Sequence, residues 1–339
     1  MDPVSQAVLG GGFAGTWARR RAELRPAVVA GVVGGMLPDL DVVIRSKTDP
    51  LLFLEYHRQF THSLLFIPIG GLVAAVALWP VLRRRLSLRR IYGYATAGYA
   101  THAMLDSCTS YGTQLLWPFS DLRVAWNTIS IIDPLYTLPF LALVVLAFWY
   151  RSRALLAAAF VLSTAYLLFG WMQHERAQGA ARRLAEKRGH APKRLFVKPS
   201  FANVVLWKSL YEADDEYHVD AIRVGLDTRY YPGESVRKFD ATRDLPWLKE
   251  GSRQKNDLER FRWFSDGYLV LDPRQPNSVG DVRYSLLPNR VAPLWVIRFD
   301  PDSPDEHVRF ENQRAGARSS LAELSRMLSG DGALPVEPP

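Results

Sequence analysis

Residues 57–82 read HRQFTHSLLFIPIGGLVAAVALWPVL, in which a mostly polar heptad precedes a long apolar run without charge. The run from Leu64 to Leu82 is about long enough, at roughly 1.5 Å per residue, to cross a hydrocarbon core of about 30 Å. Two histidines, His57 and His62, stand directly before it, and the neutral imidazole suits zinc and similar ions. The stretch therefore predicts a metal-binding group mounted at the mouth of a membrane helix.

The five-residue spacing of these histidines restricts how they can share an ion. On a continuous helix this spacing would separate the two side chains by about 140°. His57 and His62 can meet only if His57 lies in the loop and His62 at the helix start, where Thr61 is an N-cap candidate. The alternative, a pair of loop histidines at the lipid headgroup boundary, fits an isolated pair equally well.

Composition and charge narrow the class of protein. With 339 residues the chain is long enough for two domains, and its mean hydropathy of -0.07 averages an apolar first half and a charge-rich second half. The net charge of +8 comes from short basic clusters between apolar runs. Such clusters are typical of membrane topology signals, so we expect no nucleic acid partner. The single cysteine, Cys108, excludes an internal disulfide framework.

The apolar segments predict six membrane helices, some of them short. Besides the span that follows His62, five segments qualify: 3–17, 26–37, 91–105, 131–150 and 154–172. We therefore expect an all-α transmembrane helix bundle over residues 1–172, which would form the membrane-embedded domain.

Beyond residue 172 the long apolar runs give way to charge and to short alternating segments. Residues 173–195 predict a basic amphipathic linker helix. The predicted strands are 203–210, 217–226, 268–271, 282–287 and 294–299, and 256–264 is a predicted short helix. We expect a smaller β-rich α+β soluble domain over 196–328 and a disordered tail over 329–339.

The distribution of basic residues orients the bundle. One set of connections carries arginine clusters at 19–25, 83–90 and 151–153, whereas the opposite set carries few basic residues. Under the positive-inside rule the first set is cytoplasmic, so both termini and the C-terminal half are expected outside. The basic segment 176–194 opposes this assignment, but long soluble domains translocate largely regardless of charge.

Ionisable residues that are unusual in membrane segments fall at the ends of the predicted helices. Asp39 and Asp41 end the second helix, His57 and His62 precede the third, His102 and Asp106 end the fourth, and Asp133 begins the fifth. Because successive helices alternate in direction, these ends should meet in one plane at the outer membrane surface. Asp133 stands before Pro134 and is better explained as an N-cap than as a ligand.

Local spacing suggests how the remaining side chains meet. His102 and Asp106 are four residues apart, so on a helix they share a face and can bind one ion or act as a ligand with its orienting carboxylate. Asp39 and Asp41 cannot share a helical face, so Pro38 is expected to end the helix and let both turn inward. A solvated helix end and a core histidine are the simpler alternatives. Burying several carboxylates and imidazoles together without an ion is costly, which favours a metal site.

Four motifs in this order resemble the YdjM-like family of predicted membrane-bound, metal-dependent hydrolases: 1–3 (MDP), 38–41 (PDLD), 57–63 (HRQFTHS) and 102–106 (HAMLD). The resemblance implies a bacterial-type inner membrane protein, similar to zinc-dependent phospholipases C, that hydrolyses a phosphoester on a lipid-like substrate. Where the family often has Thr-His, this chain has Ser5-Gln6. Glutamine is a weak zinc ligand, so this position either supplies a hydrogen bond or leaves the site one ligand short.

A hypothesis for the chemistry follows from the motifs. The expected ligands of one or two divalent ions, with zinc as the expected metal, are His57, His62, His102, Asp106, Asp41 and Asp39. Whichever of Asp39 and Asp41 is spare would be the general base. Arg58 is placed to clamp a phosphate, or alternatively to lie at the rim on lipid headgroups. Membrane lipid and a lipid-like phosphoester are the expected partners. The competing class is a non-catalytic membrane scaffold or binding protein with a structural metal site.

Overall fold

A computed structural model describes residues 1–314 and 317–333 of the protein. The chain divides into two compact units. The first comprises Met1–Ile44, Tyr56–Met172 and Phe201–Asn203, and the second comprises Arg45–Glu55, Gln173–Ser200 and Val204–Pro339. The predicted order, a helical region followed by a sheet domain, is confirmed. From residue 334 onward, the tail predicted to be disordered lies outside the described residues.

Helices dominate the first unit, and α7 continues from it into the second. The helices of residues 1–187 are α1 (Pro3–Thr16), α2 (Leu24–Met36), α3 (Leu52–Tyr56), α4 (Ile67–Leu82), α5 (Leu88–Ser107), α6 (Pro134–Tyr150) and α7 (Arg153–Lys187). Short 3-10 helices lie between them at Arg21–Glu23, Leu37–Val43, Phe60–His62 and Leu64–Phe66. Of the linker helix predicted over 173–195, residues 173–187 are helical, but they continue α7 because no proline interrupts the helix before Lys187.

Capping residues fix where these helices begin. The Asp2 side chain accepts hydrogen bonds from the first backbone N–H groups of α1, and Asp133 does the same for α6. The prediction that Asp133 is a cap is confirmed. Thr61 is not a cap, since Ser63 accepts the hydrogen bond from the N–H of Phe66 at the start of the third predicted span.

Three helical segments among the described residues are both long enough and apolar enough to cross a membrane: Arg21–Val43, Leu64–Leu82 and Arg153–Lys187. The apolar α6 is shorter. The predicted count of six membrane helices is therefore not confirmed. Fewer helices qualify because α1 has only 14 residues and because α5 carries arginine, histidine and aspartate among its apolar residues.

Glycines allow α1, α2 and α5 to pack with their backbones in contact. A Cβ at Gly31 on α2 would overlap the carbonyl oxygen of Gly10 on α1, and a Cβ at Gly98 on α5 would overlap the carbonyl oxygen of Gly31. Small residues at such crossings are the usual means by which membrane helices approach closely. This packing brings together the end of α2 and the end of α5, where the candidate site lies.

The second unit contains two antiparallel sheets. The first sheet is formed by β1 (Arg194–Pro199), β2 (Leu206–Ala213), β3 (Glu216–Val224), β4 (Thr228–Tyr231) and β5 (Ser235–Arg237). The second is formed by β6 (Leu269–Leu271), β7 (Ser278–Asp281), β8 (Trp295–Arg298) and β9 (Arg309–Asn312). The helices are α8 (Ala241–Asp244), α9 (Arg253–Phe264) and α10 (Ala317–Ser329). Leu210 and Val219 of the first sheet share a core cluster with Val270 of the second.

The strand predicted over 282–287 is wrong. Its sequence is apolar enough for a strand, but the preceding strand β7 already ends at Asp281. The carboxylate of Asp281 accepts a hydrogen bond from the backbone N–H of Arg283 at 3.0 Å and pairs with its guanidinium, which turns the chain.

Lys198 on β1 gives the second unit a pH-dependent stability. It lies opposite Lys208 in the strand register, and burial lowers the pKa of Lys198 to about 8. Since the unfolded lysine titrates near 10.5, the cost of the buried charge is fully present below pH 8 and disappears between pH 8 and 10.5. We expect Lys198→Met to stabilise the protein by about 2 kcal/mol at pH 7 and by much less at pH 10.

Urea unfolding of the full chain at pH 7 and pH 10 measures this difference. Comparison of the variant with the unmodified protein cancels the contributions of titrating groups that do not interact with Lys198. The exposed Lys193, just before β1, provides the control, and Lys193→Met should leave the free energy of unfolding nearly unchanged at both pH values. An equal effect of Lys198→Met at pH 7 and pH 10 would contradict the assignment.

Candidate metal centre

Two histidine side chains face each other at the centre of the candidate site. The Nδ1 of His102 lies 2.6 Å from the carbonyl oxygen of Gly35, so this nitrogen must carry the proton. The Nδ1 of His62 lies 3.0 Å from the Thr61 hydroxyl, which itself donates to Asp41, so this nitrogen also donates. The two Nε2 atoms are 3.0 Å apart and therefore direct two lone pairs at one place.

Two carboxylates complete this group. Asp39 Oδ1 lies 3.6 Å from Nε2 of His62 and 3.4 Å from Nε2 of His102. Asp106 Oδ2 lies 3.4 Å and 3.7 Å from the same two nitrogens. Ligands held tetrahedrally about 2.1 Å from an ion are separated by about 3.4 Å. The four residues therefore fit a tetrahedral cation with two nitrogen and two oxygen ligands.

Burial makes this group unfavourable without a cation. The side chains of His62, His102 and Asp106 are completely buried, whereas that of Asp39 is 24% exposed. Burial favours the neutral form of His62, but hydrogen bonds to the surrounding carboxylates outweigh burial and raise its pKa to about 10. A proton and a divalent ion would thus compete for the same place. The group opens toward solvent only through Asp39.

Asp41 lies behind this group and orients two histidines. One of its oxygens accepts hydrogen bonds from the backbone N–H of Arg58 at 3.0 Å and from the Thr61 hydroxyl at 2.9 Å, and lies 3.3 Å from Nδ1 of His62. Its other oxygen lies 2.8 Å from Nδ1 of His57. A carboxylate on the far nitrogen of a ligating imidazole fixes the ring and raises its basicity.

The predicted ligands thus fall into two groups. Asp39, His62, His102 and Asp106 form the first, and Asp39, Asp41 and His57 form a second group whose ligand atoms also lie close enough to share an ion. Asp39 belongs to both. The predicted meeting of these distant parts of the sequence is found in the structure, but His57 and His62 do not lie in one group.

Arg58 is buried against Asp106. Its side chain is 5% exposed, its Nε lies 3.0 Å from Asp106 Oδ2, and its Nη1 donates to the Thr109 hydroxyl at 3.0 Å. The guanidinium also lies over the ring of Tyr111, 4.9 Å from the centroid. An arginine at the rim on lipid headgroups is therefore the wrong alternative. The role of Arg58 as a phosphate clamp stays a prediction. In the structure, its guanidinium balances the negative charge of Asp106 and orients this carboxylate.

Gln6 on α1 supplies a hydrogen bond to the site. Its Nε2 lies 2.9 Å from Asp106 Oδ1 and 3.3 Å from the carbonyl oxygen of His102. The amino group of Met1 also contacts Asp106. The sequence left two alternatives for Gln6, a hydrogen bond to the site or a missing metal ligand, and the geometry matches the hydrogen bond. The Gln6 Oε1 atom is buried and accepts no hydrogen bond from the described part of the chain.

Sequence reasoning missed the supporting contacts of the site. The carbonyl oxygen of Gly35, which fixes the His102 tautomer, has no signal in sequence because every residue carries one. Thr109 and Tyr111, which hold Arg58, follow the HAMLD motif within five residues, and this proximity was the only available signal.

The helical unit, its apolar spans and the buried histidine and aspartate cluster define a membrane protein with a candidate metal centre. The chain belongs to the YdjM inner membrane protein family, whose profile matches residues 1–177. This match confirms the resemblance inferred from the four motifs and supports a location in the inner membrane.

Two relatives are similar over part of their length. The uncharacterized protein YfhP of Bacillus subtilis (strain 168) is 27% identical over 131 residues, which cover 39% of this chain and 39% of the relative. The inner membrane protein YbcI of Escherichia coli (strain K12) is 34% identical over 108 residues, which cover 30% of this chain and 60% of the relative. The matches thus span less than two thirds of either relative. No solved structure matches the chain.

Proposed function

We propose that the protein is an integral inner membrane, metal-dependent hydrolase that cleaves a phosphoester of a phospholipid or another lipid-like molecule. The observation that carries the proposal is that Nε2 of His62, Nε2 of His102 and Oδ2 of Asp106 converge in a buried group beside the partly exposed Asp39. Zinc is the proposed ion because mixed nitrogen and oxygen ligands in this geometry suit it. Family membership supports the membrane location. The positive-inside rule supports an active site and a sheet domain outside the cytoplasm.

Three buried side chains, those of His62, His102 and Asp106, would hold the ion. When bound by these residues, a divalent ion would supply positive charge that offsets charge on a phosphoryl oxygen and would lower the pKa of a water molecule. Asp39 is partly exposed and lies at the opening of the group, so we assign it the role of general base. Asp41 is already engaged by several donors, which suits a residue that orients His62 and His57 rather than one that takes a proton.

A structural metal site in a non-catalytic scaffold is the second candidate. It is favoured by one observation, namely that the first group offers four protein ligands. Structural zinc sites usually have four protein ligands, whereas catalytic sites keep a position for water. The two functions therefore differ in whether Asp39 is needed to hold the ion.

Asp39→Asn separates the two functions. If Asp39 is the general base, the variant should keep its metal and lose about 100-fold or more in hydrolysis. Metal content is measured on protein purified in detergent, and hydrolysis is measured on phosphatidylglycerol in mixed micelles and on a soluble chromogenic phosphodiester. The exposed Asp121 of the same unit provides the control, Asp121→Asn, which should change neither quantity.

Two results would count against hydrolysis. Loss of the metal in Asp39→Asn, to the same extent as in a histidine variant, would favour the structural site. Unmodified protein with its full complement of metal and no activity on either phosphoester would exclude the proposed reaction for those substrates.

A further inference from the structure

An apolar groove runs between α1, α2 and α6 of the first unit. Its volume is about 450 Å³, and its lining is aliphatic and aromatic. The lining includes Val4 and Val8 of α1, Val28 and Val32 of α2, and Leu141 and Val145 of α6. Val4 and Val145 are 48% and 40% exposed, so the groove is open at the surface of the unit.

The groove has the dimensions of a hydrocarbon chain. Along α2 its lining extends from Val28 to Met36, which corresponds to about 12 Å at the rise of an α-helix. One leaflet of a bilayer has a hydrocarbon depth of about 15 Å, half of the whole core. A single extended chain from one leaflet therefore matches the groove in length and chemistry.

One end of the groove adjoins the opening of the candidate metal centre. Met36 lines the groove and directly precedes the 3-10 helix Leu37–Val43. Only two residues separate Met36 from Asp39, the partly exposed member of the ligand group, so this end of the groove lies close to it in the chain. On α1, Ala7 lines the groove beside Gln6, whose side chain donates to Asp106.

We propose that this groove holds one acyl chain of the membrane lipid whose phosphoester is cleaved, an inference that rests on the proposed function. A chain that leaves the bilayer for the groove exchanges one apolar environment for another, so it gains little binding energy. The groove instead serves to position the lipid, because an acyl chain that lies along α2 places the attached headgroup near Asp39. Holding the reacting group in place is worth large factors in rate, since small misplacements cost about 100-fold.

Photolabelling tests occupancy of the groove independently of hydrolysis. The full chain is placed in phosphatidylcholine vesicles with phosphatidylglycerol that carries a diazirine on its acyl chain, and labelled peptides are mapped. We expect several-fold more label on α1, α2 and α6 than on the exposed face of α4. Val145→Trp should reduce this label because Val145 is open to the groove. Val73→Trp is the matched control, since Val73 is 52% exposed on α4 and lies outside the groove lining.

Kinetics test the consequence. Val145→Trp should lower hydrolysis of long-chain phosphatidylglycerol about 10- to 100-fold and leave the soluble phosphodiester unchanged, whereas Val73→Trp should affect neither. Equal labelling of all exposed helix faces, or equal loss on both substrates in Val145→Trp, would overturn the inference. Preferential labelling of the groove in a protein that hydrolyses neither phosphoester would support the lipid site and count against the proposed function alone.

Discussion

Replacing His102 with alanine is expected to lower the affinity for zinc more than 100-fold, while His57→Ala retains most of it. The reason is the position of the Nε2 atom of His102, which lies 3.0 Å from that of His62 and 3.4 Å from Asp39. Loss of a residue that only orients a ligand costs about 10- to 100-fold, so loss of a ligand should cost more. His57 hydrogen-bonds to Asp41 and lies edge-on to the ring of His62, 5.9 Å between centroids, but it is not one of the four ligands of this group.

The measurement is metal analysis of both variants purified in detergent, followed by competition with a chelator of known affinity. Circular dichroism and size-exclusion profiles show whether each variant is folded. If His57→Ala loses as much zinc as His102→Ala, the second group of ligands is the main site. If both variants keep one equivalent of zinc, the first group does not hold the ion.

Convergence of the site residues was predictable because it follows from chain direction. Helices that alternate in direction place every second connection on one side, so the ends of α2 and α5 and the start of α4 had to approach each other. The HAMLD spacing also put His102 and Asp106 on one face of a helix, four residues apart. These inferences need only the approximate positions of the helices, which long apolar runs indicate.

The division into two groups was not predictable, because it depends on local backbone geometry. The segment Phe60–His62 forms a 3-10 turn, and Arg58 has a left-handed backbone with φ of 66°. This geometry turns His62 toward α5 and leaves His57 beside Asp41. No pattern of residue types specifies such a turn. The same holds for Arg58, whose burial depends on Thr109 and Tyr111, residues that lie far from it in sequence.

The strands of the sheet domain were also only partly predictable from the sequence. Strands β2 and β3 were predicted from their alternation of apolar and polar residues, with bounds shifted by a few residues. The strands β1, β4, β5, β7 and β9 were missed, because β4, β5, β7 and β9 are only three or four residues long and β1 carries two basic residues and a proline. Short strands take their conformation from the neighbours with which they pair, so their own sequences are weakly informative.

The contact between α2 and α5 should also be needed for tight metal binding, which Gly98→Ala tests. The added Cβ would overlap the carbonyl oxygen of Gly31, so the two helices must separate, at a cost of about 2 to 3 kcal/mol. His102 lies one turn beyond Gly98 on α5, and its Nδ1 bonds to the carbonyl oxygen of Gly35 on α2. Separation of the helices should break this bond and lower zinc affinity at least tenfold.

Gly93→Ala on the same helix is the matched control, because a Cβ at Gly93 meets no atom within 4 Å. Replacement of a helical glycine by alanine without a clash should raise stability by up to about 1 kcal/mol. Opposite shifts of the melting temperature in detergent are therefore expected for the two variants, with loss of zinc in Gly98→Ala alone. If Gly98→Ala melts like Gly93→Ala and keeps its zinc, then α2 and α5 do not need backbone contact to assemble the site. If it loses stability but not zinc, the ligands are held by their own contacts and not by this helix crossing.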